Sequence, residues 1–589
     1  GCNQLEFLSQ YNARFSTRYV RGLQALARSL PAEIKGLEEK LQAITASDKG
    51  YEPLKKEIEK KKEVLNDTKE ELVKWSKANF EKLSSYQKDL YRRAFTTNEG
   101  DPDYHTLELL KYAPKGDVLY QFRKDVDSGQ LPTVSWLVPS QNLSDHPSAP
   151  WYGAWLTSEI LDILTKNPAV WKKTIFILTY DENDGYFDHV PPFVAPDPED
   201  PRTGKCSPGV NTSGVEYIRL EQELKEGIKE KEARGGPIGL GFRVPMIIAS
   251  PWSRGGKVCS QVFDHTSTLQ FLEDFLNKKY KTKIKEENIS EWRRTVSGNL
   301  TSAFTLYDGK EKESRSFLLQ RDPFLEKIYN AKFKNEPNNF KKLSAEEIAQ
   351  INRDPHSQLP LQEPGIRRSS PLPYQLYADG KLSSDKKSFE LTMQAQRTVF
   401  GNEAVGAPFI VYAPGAYLTP DSERTGKKVF EPVRAWHFAV KAGDALTDKW
   451  PLSAFKENGY HLRVYGPNGF FRELTGSDKD PQLQIDCEYQ SGPLNNKLTG
   501  NIEMKTANPN GGRAYTIVIT DNAYKNKPVS KKIMPSAQET IALNLEKSYG
   551  WYDFSVSVKE HPGFTRRYAG RVETGKESYS DPFMGKAIS

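Results

Sequence analysis

Apolar residues recur at Ile34, Leu37, Leu41 and Ile44, a 3-4-3 spacing that places them on one face of a helix over 31–46. The stretch from Ser47 to Pro53 interrupts the stripe with a helix-stopping Gly50 and a helix-starting Pro53. From Leu54 it resumes through Ile58, Leu65, Leu72, Phe80 and Leu83, with Lys and Glu crowding the positions between. The pattern predicts an antiparallel helical hairpin over 31–83. The run Lys60-Lys61-Lys62 is basic, but glutamates interleave with it, which reads as a solvated helix face and not as a nucleic-acid surface.

From about 118 to 280 the pattern changes to short β-rich runs alternating with helical stripes. Thr133–Val138 reads as a strand. Trp151–Lys166 reads as a helix with Trp155, Ile160, Leu161 and Leu164 on its apolar side. Thr174–Thr179 and Val244–Ala249 are apolar nearly throughout, as expected of strands buried on both faces, and Thr266–Phe275 reads as a helix. This alternation is the signature of an α/β domain built on a mostly parallel sheet. Residues 198–243 form a polar, Gly-rich excursion with a charged helix expected over Tyr217–Ala233. Residues 333–375, with six prolines and little periodicity, read as a linker.

After 380 the chain becomes all-β in character and repeats itself. Gly459–Gly476 (GYHLRVYGPNGFFRELTG) is matched 94 residues later by Asp553–Gly570 (DFSVSVKEHPGFTRRYAG). Gly469, Phe470, Arg472 and Gly476 map onto Gly563, Phe564, Arg566 and Gly570. Tyr460, Leu462 and Val464 map onto Phe554, Val556 and Val558 with the period-2 alternation of a strand. The period fits two tandem sandwich domains and is too long for a solenoid repeat.

Composition changes this picture little. The 589 residues suggest about four domains at roughly 150 residues each. No run of about 18 apolar residues occurs, so no transmembrane helix is expected. A net charge of +6 over this length does not call for a nucleic-acid partner, and four cysteines are too few for a disulfide scaffold. Cys206 and Cys259 flank the excursion and are a candidate pair in an oxidising compartment.

Candidate chemistry lies just after the expected strands, where open α/β sheets bind their ligands. Ser144-Asp145-His146-Pro147 follows 133–138. The segment from Asp181 to His189 (DENDGYFDH) follows 174–179. Phe263-Asp264-His265-Thr266-Ser267 opens the helix after 244–249. Three of the eight histidines fall in these clusters. Asp181 and Glu182 supply adjacent anionic oxygens suited to a hard divalent cation. An EF-hand loop starting at Asp181 would need Gly where Tyr186 stands, so that pattern fails. The competing reading is an acidic turn, since Asp-Gly and Asn-Asp are favoured turn chemistry. His146 and His265 are of the type that contacts a phosphate or protonates a leaving group, while Asp264 with Thr266 and Ser267 also fits ordinary helix capping. Asp184 and His189 share the second cluster without a defined role. No nucleophile elbow, P-loop or dinucleotide-binding fingerprint is present.

These clusters resemble a known family. LPTVSWLVPSQNLSDHPSAPWYGAW, TYDENDGYFDHVPPF and GLGFRVPMIIASPWSRGGKVCSQVFDHTSTLQFLE are similar to the bacterial phosphocholine-preferring phospholipases C of the non-hemolytic or hemolytic type, which are related to a metal-dependent acid phosphatase. QEPGIRRSSPLPYQLYADG and the closing YAGRVETGKESYSDPFMG resemble that family's C-terminal region, so the likeness covers most of 118–589.

The resemblance implies an alkaline-phosphatase-like α/β catalytic domain over 1–332, with the hairpin as an insertion. It also implies the linker 333–375 and two all-β sandwich domains, 376–480 and 481–589. It implies metal-assisted hydrolysis of phosphatidylcholine-type phosphodiesters to diacylglycerol and phosphocholine, with an acid phosphatase as the alternative on the same scaffold. On it, Asp181 and Glu182 match a metal-ligand pair, and His146 and His265 match phosphate-contacting or proton-donating histidines.

Family members also carry an N-terminal Glu-Asn-Arg-Ser-Phe-Asp-His-type motif and a later Ser or Thr nucleophile. Neither is found here, and Asn3-Gln4-Leu5-Glu6-Phe7-Leu8 resembles family sequence downstream of both. The expectation is therefore a catalytic domain only partly present and a chain silent on its own. The expected partner is a phospholipid with peripheral membrane contact, and the expected location is outside the cytoplasm. The chain starts without a signal-peptide pattern, and acylation of Cys2 is the alternative mode of anchoring. A binding-module reading, in which the sandwiches dock lipid headgroups or glycans, rests on Trp436, Tyr460, Phe470, Phe471, Trp551 and Tyr552, residue types whose commoner place is a core.

Overall fold

Ser16 caps the first long helix by accepting the Tyr19 N–H at 3.3 Å, and α1 then runs from Thr17 to Gln42. The helix expected from residue 31 therefore starts 14 positions earlier, because Leu23 and Leu30 extend the stripe upstream of Pro31, which lies inside the helix. α2 (Tyr51–Lys74) returns antiparallel, and Leu30, Ile34 and Ile58 close a small core with Leu37, Leu41, Leu54 and Leu65. Across the hairpin Lys61 pairs with Glu33 at 2.8 Å and Lys62 with Glu38 at 2.6 Å, so the basic run is matched by carboxylates of the facing helix. α2 stops at Lys74 instead of continuing to 83, where the Asn79 side chain caps the carbonyls of Val73 and Lys74.

This computed structural model describes residues 8–94, 98, 100–103, 117–146, 151–183, 185, 188–306, 321–331, 333–335, 338, 340–354, 357–359, 364–420, 422, 427–492, 497–509 and 511–586. The chain forms two compact units, residues 1–174 with 316–341, and residues 175–315 with 342–589. The first is helical. Its helix Tyr152–Thr165 buries Leu156, Ile160, Ile163 and Leu164, while Trp155 and Leu161 of the expected face are half-buried. Thr133–Val138 forms no strand. It begins with a bend at Thr133 and Val134 and is unpaired among the described residues, with Val134, Trp136, Leu137 and Val138 exposed. A β-rich sequence becomes a strand only when a neighbour takes its backbone hydrogen bonds.

In the second unit β1 (Phe176–Thr179) is paired antiparallel with a later strand. β2 (Gly204–Cys206), β3 (Tyr217–Ile218) and β4 (Gly236–Pro237) come between them, and β5 (Met246–Ala249) is that partner, with Phe176 facing Ala249 and Thr179 facing Met246. The expected parallel sheet buried on both faces is thus a two-stranded antiparallel pair whose residues are half-buried, with Thr179 and Ile247 exposed. The charged helix expected over 217–233 shrinks to Leu220–Lys225. β3 pairs with β4 around it, and the Glu223 carboxylate accepts the Arg234 and Gly235 N–H groups, closing the excursion as a loop.

Thirteen strands of the two repeats follow the short β6 (Arg368–Ser369) and β7 (Leu376–Leu382): β8 (Ser388–Ala395), β9 (Ala407–Leu418), β10 (Phe430–Val440), β11 (Ala445–Pro451), β12 (Gly459–Tyr465), β13 (Phe471–Ser477), β14 (Gln484–Ser491), β15 (Leu498–Ala507), β16 (Tyr515–Asp521), β17 (Val529–Ile533), β18 (Gln538–Leu543), β19 (Trp551–Val558) and β20 (His561–Arg571), with β21 (Ser578–Tyr579) pairing back onto β6. The orders β11-β8-β7 and β14-β15-β18 form two three-stranded sheets. Both face one nine-stranded sheet, β17-β16-β19-β20-β13-β12-β9-β10-β2. Strand for strand, β7–β13 correspond to β14–β20, and the two repeats join edge to edge through β13 and β20. The two expected sandwiches therefore share one continuous sheet. Each encloses its own core, one around Phe389, Phe409, Phe438, Trp450 and Leu462, the other around Ile485, Ile502, Met504, Ile517 and Val556.

Hairpin register corrects one detail of the repeat. Tyr460 faces Gly476 and Tyr552 faces Gly570, so the partner of Tyr460 is Tyr552, two residues before the expected Phe554. The matched arginines explain why this motif repeats. Each lies over the phenylalanine two positions before it, Arg472 at 4.1 Å from the Phe470 ring and Arg566 at 4.2 Å from the Phe564 ring. Each then crosses the seam. Arg472 donates to the Ala569 carbonyl at 3.0 Å and the Tyr552 hydroxyl at 3.3 Å, and Arg566 donates to the Thr475 carbonyl at 2.8 Å and the Tyr460 hydroxyl at 2.6 Å. A Cβ at Gly476 would collide with the Asp480 carboxylate and the Tyr460 hydroxyl, and one at Gly570 would crowd the Tyr552 hydroxyl, so both positions keep glycine.

The excursion is fastened to the sheet edge by β2, parallel to β10. Gly204 is required there, since at φ +135° a Cβ would collide with the His437 carbonyl. The 333–375 segment is only partly a linker. It contains the capped helix Ala345–Arg353, and its last residues enter the first core through Leu372 and Tyr374. Cys206, Cys259 and Cys487 are free thiols, so Cys206 and Cys259 do not pair. No helix among the described residues is long and apolar enough to cross a membrane.

Candidate active site

β1 ends at Thr179, and the chain passes through Tyr180 to Asp181 and Glu182. Both carboxylates are exposed, and neither has a hydrogen-bond or ion-pair partner among the described residues. Two nearby described acidic side chains are engaged. Asp188 binds Arg243 through Arg243 Nη2 at 3.0 Å and a second contact from Nε, which holds its carboxyl down to about 2. Asp264 is held by Arg293 Nη1 at 2.7 Å. Two adjacent unengaged carboxylates at a strand end, beside the engaged Asp188 and Asp264, have the hard oxygen chemistry that fits a divalent cation.

His265 closes on the same strand end. Its Nε2 lies 3.0 Å from the Tyr180 carbonyl, one residue before Asp181. A carbonyl only accepts, so Nε2 carries the proton and Nδ1 is the open nitrogen. The ring itself is exposed. Below it the local structure is rigid. Asp264 accepts Thr266 Oγ1 at 2.6 Å, as capping chemistry predicts, and Ser267 N bonds the Asp264 carbonyl at 3.0 Å, starting the helix Thr266–Tyr280.

Two arginines missed by the sequence reading fix this helix start. Arg293 joins Asp264 to the fully buried Glu216 through bonds of 2.8 and 3.1 Å, with Ser290 Oγ a third donor to Glu216 at 2.6 Å. Arg294 binds Glu273 in bidentate fashion at 2.8 Å on each arm. The adjacent pair Arg293-Arg294 beside the apolar Trp292 and Val296 was the available signal, since charges flanking a buried stripe need buried partners.

His189 is exposed, with Nδ1 3.0 Å from Asp188 Oδ1. Asp184 lies outside the described residues. His146 belongs to the helical unit, where it is half-buried, and its neighbour Asp145 accepts the Gly153 N–H at 2.8 Å at the start of the helix Tyr152–Thr165. The structure thus brings Asp181, Glu182 and His265 to one strand end. Among the described residues no group of three or more His, Cys, Asp or Glu side chains gathers as a metal cluster. Of the aromatics behind the binding-module reading, Trp436, Tyr460, Phe470, Trp551 and Tyr552 are buried, the commoner place for such residues, and Phe471 is half-buried, which removes the observation behind a docking surface built on them.

Residues 60–277 match the phosphoesterase family, and residues 369–477 and 481–571 each match the C-terminal domain of bacterial phospholipase C. The second match falls twice, once on each strand repeat. Both likenesses point to the bacterial phospholipases C. It is 35% identical over 506 residues to the non-hemolytic phospholipase C of Burkholderia pseudomallei, covering 84% of this chain and 63% of that protein. It is 33% identical over 486 residues to the hemolytic phospholipase C of Pseudomonas aeruginosa, covering 80% and 60%. Phospholipase C A of Mycobacterium tuberculosis is 42% identical over 184 residues, 31% of each chain. The chain thus spans about three-fifths of the length of the first two relatives. The two matches fall on a phosphoesterase segment carrying Asp181, Glu182 and His265 and on a twice-repeated C-terminal domain.

Proposed function

We propose that the chain serves hydrolysis of phosphocholine-type phosphodiesters, the reaction of a phospholipase C, with phosphatidylcholine as the substrate class. Asp181 and Glu182 hold a divalent metal, and the phosphoesterase segment is part of an alkaline-phosphatase-like domain. The observation that carries this reading is the unengaged carboxylate pair at the end of β1 beside a histidine of fixed tautomer. When bound, the metal would supply charge neutralisation at the phosphate oxygens and lower the barrier to attack on phosphorus.

The residues themselves do the following. Asp181 and Glu182 present hard oxygens at one point of the chain. The Tyr180 carbonyl holds the His265 proton on Nε2 and leaves Nδ1 to take a proton or accept a hydrogen bond from a substrate group. Arg293, through Asp264, holds the helix start that carries His265, a positioning role. His189 and Asp184 belong to the same stretch of sequence as Asp181 and Glu182 and have no assigned step.

No attacking Ser or Thr is identified, so these 589 residues are read as silent on their own. Names of the relatives, all phospholipases C, support the diester over the monoester reading. The chain is read as exported and as meeting its lipid at a membrane surface. The deciding experiment is divalent-metal-dependent binding of phosphocholine. Binding that needs both metal and Asp181 supports the reading, and binding indifferent to either refutes it.

A further inference from the structure

The positive charge of the chain is concentrated in its helical hairpin. Residues 8–94 hold 19 Lys and Arg against 13 Asp and Glu, a surplus equal to the +6 of the whole chain. Within this stretch α2 is balanced, with seven Lys, no Arg and seven Asp or Glu, and Lys61 and Lys62 meet carboxylates of the facing helix. The start of α1 is built differently. Residues 8–32 contain Arg14, Arg18, Arg21 and Arg28 and no Asp, Glu or Lys. Arg14 is tied to Glu71 at 3.3 Å. Arg18 and Arg28 have neither an ion-pair nor a hydrogen-bond partner among the described residues.

Helix geometry gathers these arginines on one side. At 3.6 residues per turn Arg18, Arg21 and Arg28 fall within an arc of about 80°, centred opposite the buried Leu23, Leu30 and Ile34. All three are exposed. The other residues on that arc are Gly22, Ala25, Ser29 and Ala32, all exposed and all small, so the guanidinium groups are the outermost atoms of a flat face. The first carboxylate along it is Glu39, which lies 4.0 Å from Lys35. A solvated helix face ordinarily mixes both signs, as α2 does. A face of arginines without a carboxylate is complementary to a surface that offers phosphates, because guanidinium binds them through paired hydrogen bonds. The flanks of the arc carry the uncharged Gln24 and Leu26, so the cationic face suits a plane touching one side of the helix, where a nucleic-acid groove would also engage the flanks.

We propose that the outward face of α1, through Arg18, Arg21 and Arg28, docks on an anionic lipid surface. This rests on the reading that the chain meets its lipid at a membrane, and it gives that contact a place and a charge preference. The face lies outside the Asp181–Glu182 site, so the two assignments can fail separately.

The test is co-sedimentation of the protein, in EDTA and at low salt, with vesicles of phosphatidylcholine and phosphatidylglycerol and with vesicles of phosphatidylcholine alone. Stronger retention on the mixed vesicles is expected, and added salt should release it. Arg18→Gln and Arg28→Gln should each weaken it about fivefold, and the triple variant with Arg21→Gln about 100-fold. Lys60→Gln, Lys61→Gln and Lys62→Gln together remove the same charge from the paired face and should weaken it only about twofold. Equal retention on both kinds of vesicle, or equal losses in the two triple variants, overturns the proposal. Tighter binding to duplex DNA than to mixed vesicles, lost in the arginine triple, also overturns it. The single variants decide where the triple lowers the helix content seen by circular dichroism. With EDTA present no metal occupies Asp181 and Glu182, so failure here leaves the phosphocholine reading standing, and failure of metal-dependent phosphocholine binding leaves this face untouched.

Discussion

Replacing Arg472 by Ala tests whether the reciprocal arginines hold the two strand repeats together. Arg472 is 1% exposed and makes hydrogen bonds to the Phe471 carbonyl at 2.9 Å, the Ala569 carbonyl at 3.0 Å and the Tyr552 hydroxyl at 3.3 Å. It is also packed among the Phe470, Tyr552 and Tyr568 rings. Three bonds at about 1 kcal/mol net each, plus the cavity left by the stem and the two carbonyls stripped of donors, give a loss of about 3–5 kcal/mol. Arg472→Lys should recover little of it, since an ammonium cannot reach two carbonyls and a hydroxyl in one plane. Because Ala569 and Tyr552 belong to the other repeat, the loss should fall on both cores together.

Urea unfolding followed by tryptophan fluorescence and by far-ultraviolet circular dichroism measures it. The expected result is a lower midpoint for the β-region in both probes, and Arg566→Ala should reproduce it by pseudo-symmetry. A change below about 1 kcal/mol in both variants would refute the clasp, that being the range of an exposed pair.

Three further outcomes follow from the structure. His437 is half-buried with its Nδ1 buried and unpartnered, and desolvation pulls its pKa down to about 4 from 6.5. Its folded pKa is depressed, so the unfolded state takes the proton first and stability falls as pH drops from 6.5 to 4. The slope is at most about 1.4 kcal/mol per pH unit and the total about 3 kcal/mol, which His437→Phe should flatten in a pH series of urea midpoints. Glu216→Gln leaves Arg293 with half its buried charge partners and should cost about 3–5 kcal/mol, read as a lower urea midpoint, whereas an unchanged midpoint would contradict the network. Turnover of a chromogenic phosphocholine ester by the purified chain should stay at the buffer rate with any divalent metal added, and turnover sensitive to Asp181→Ala would show the chain to be active alone.

Much of the fold is legible in the sequence where the pattern is long or repeated. The hairpin stripe and the GF-x-R repeat both gave elements of the right kind, because each apolar face packs against a neighbour the same segment supplies. The strand expected at 133–138 failed for the opposite reason. Its sequence is β-rich, but a strand needs a partner, and none pairs with it among the described residues. β1 and β5 read as doubly buried because they are apolar, yet their pairing is antiparallel and leaves Ile247 exposed, which composition alone does not reveal. The single continuous sheet was likewise invisible, since pairing of β13 with β20 joins residues nearly a hundred positions apart.

At the site, Asp181, Glu182 and His265 stood out as polar clusters after strands. The Arg293–Glu216–Asp264 network that positions the last of them did not, because its members are scattered over 77 residues and meet only in the fold.

The most direct test of the account is metal binding at the β1 end. Titration of the protein with Mn²⁺, followed by water-proton relaxation, should show a site that Asp181→Ala and Glu182→Ala each remove while the circular dichroism spectrum stays unchanged. Mn²⁺ binding of unaltered affinity in both variants would contradict the assignment of these carboxylates and with it the proposed chemistry.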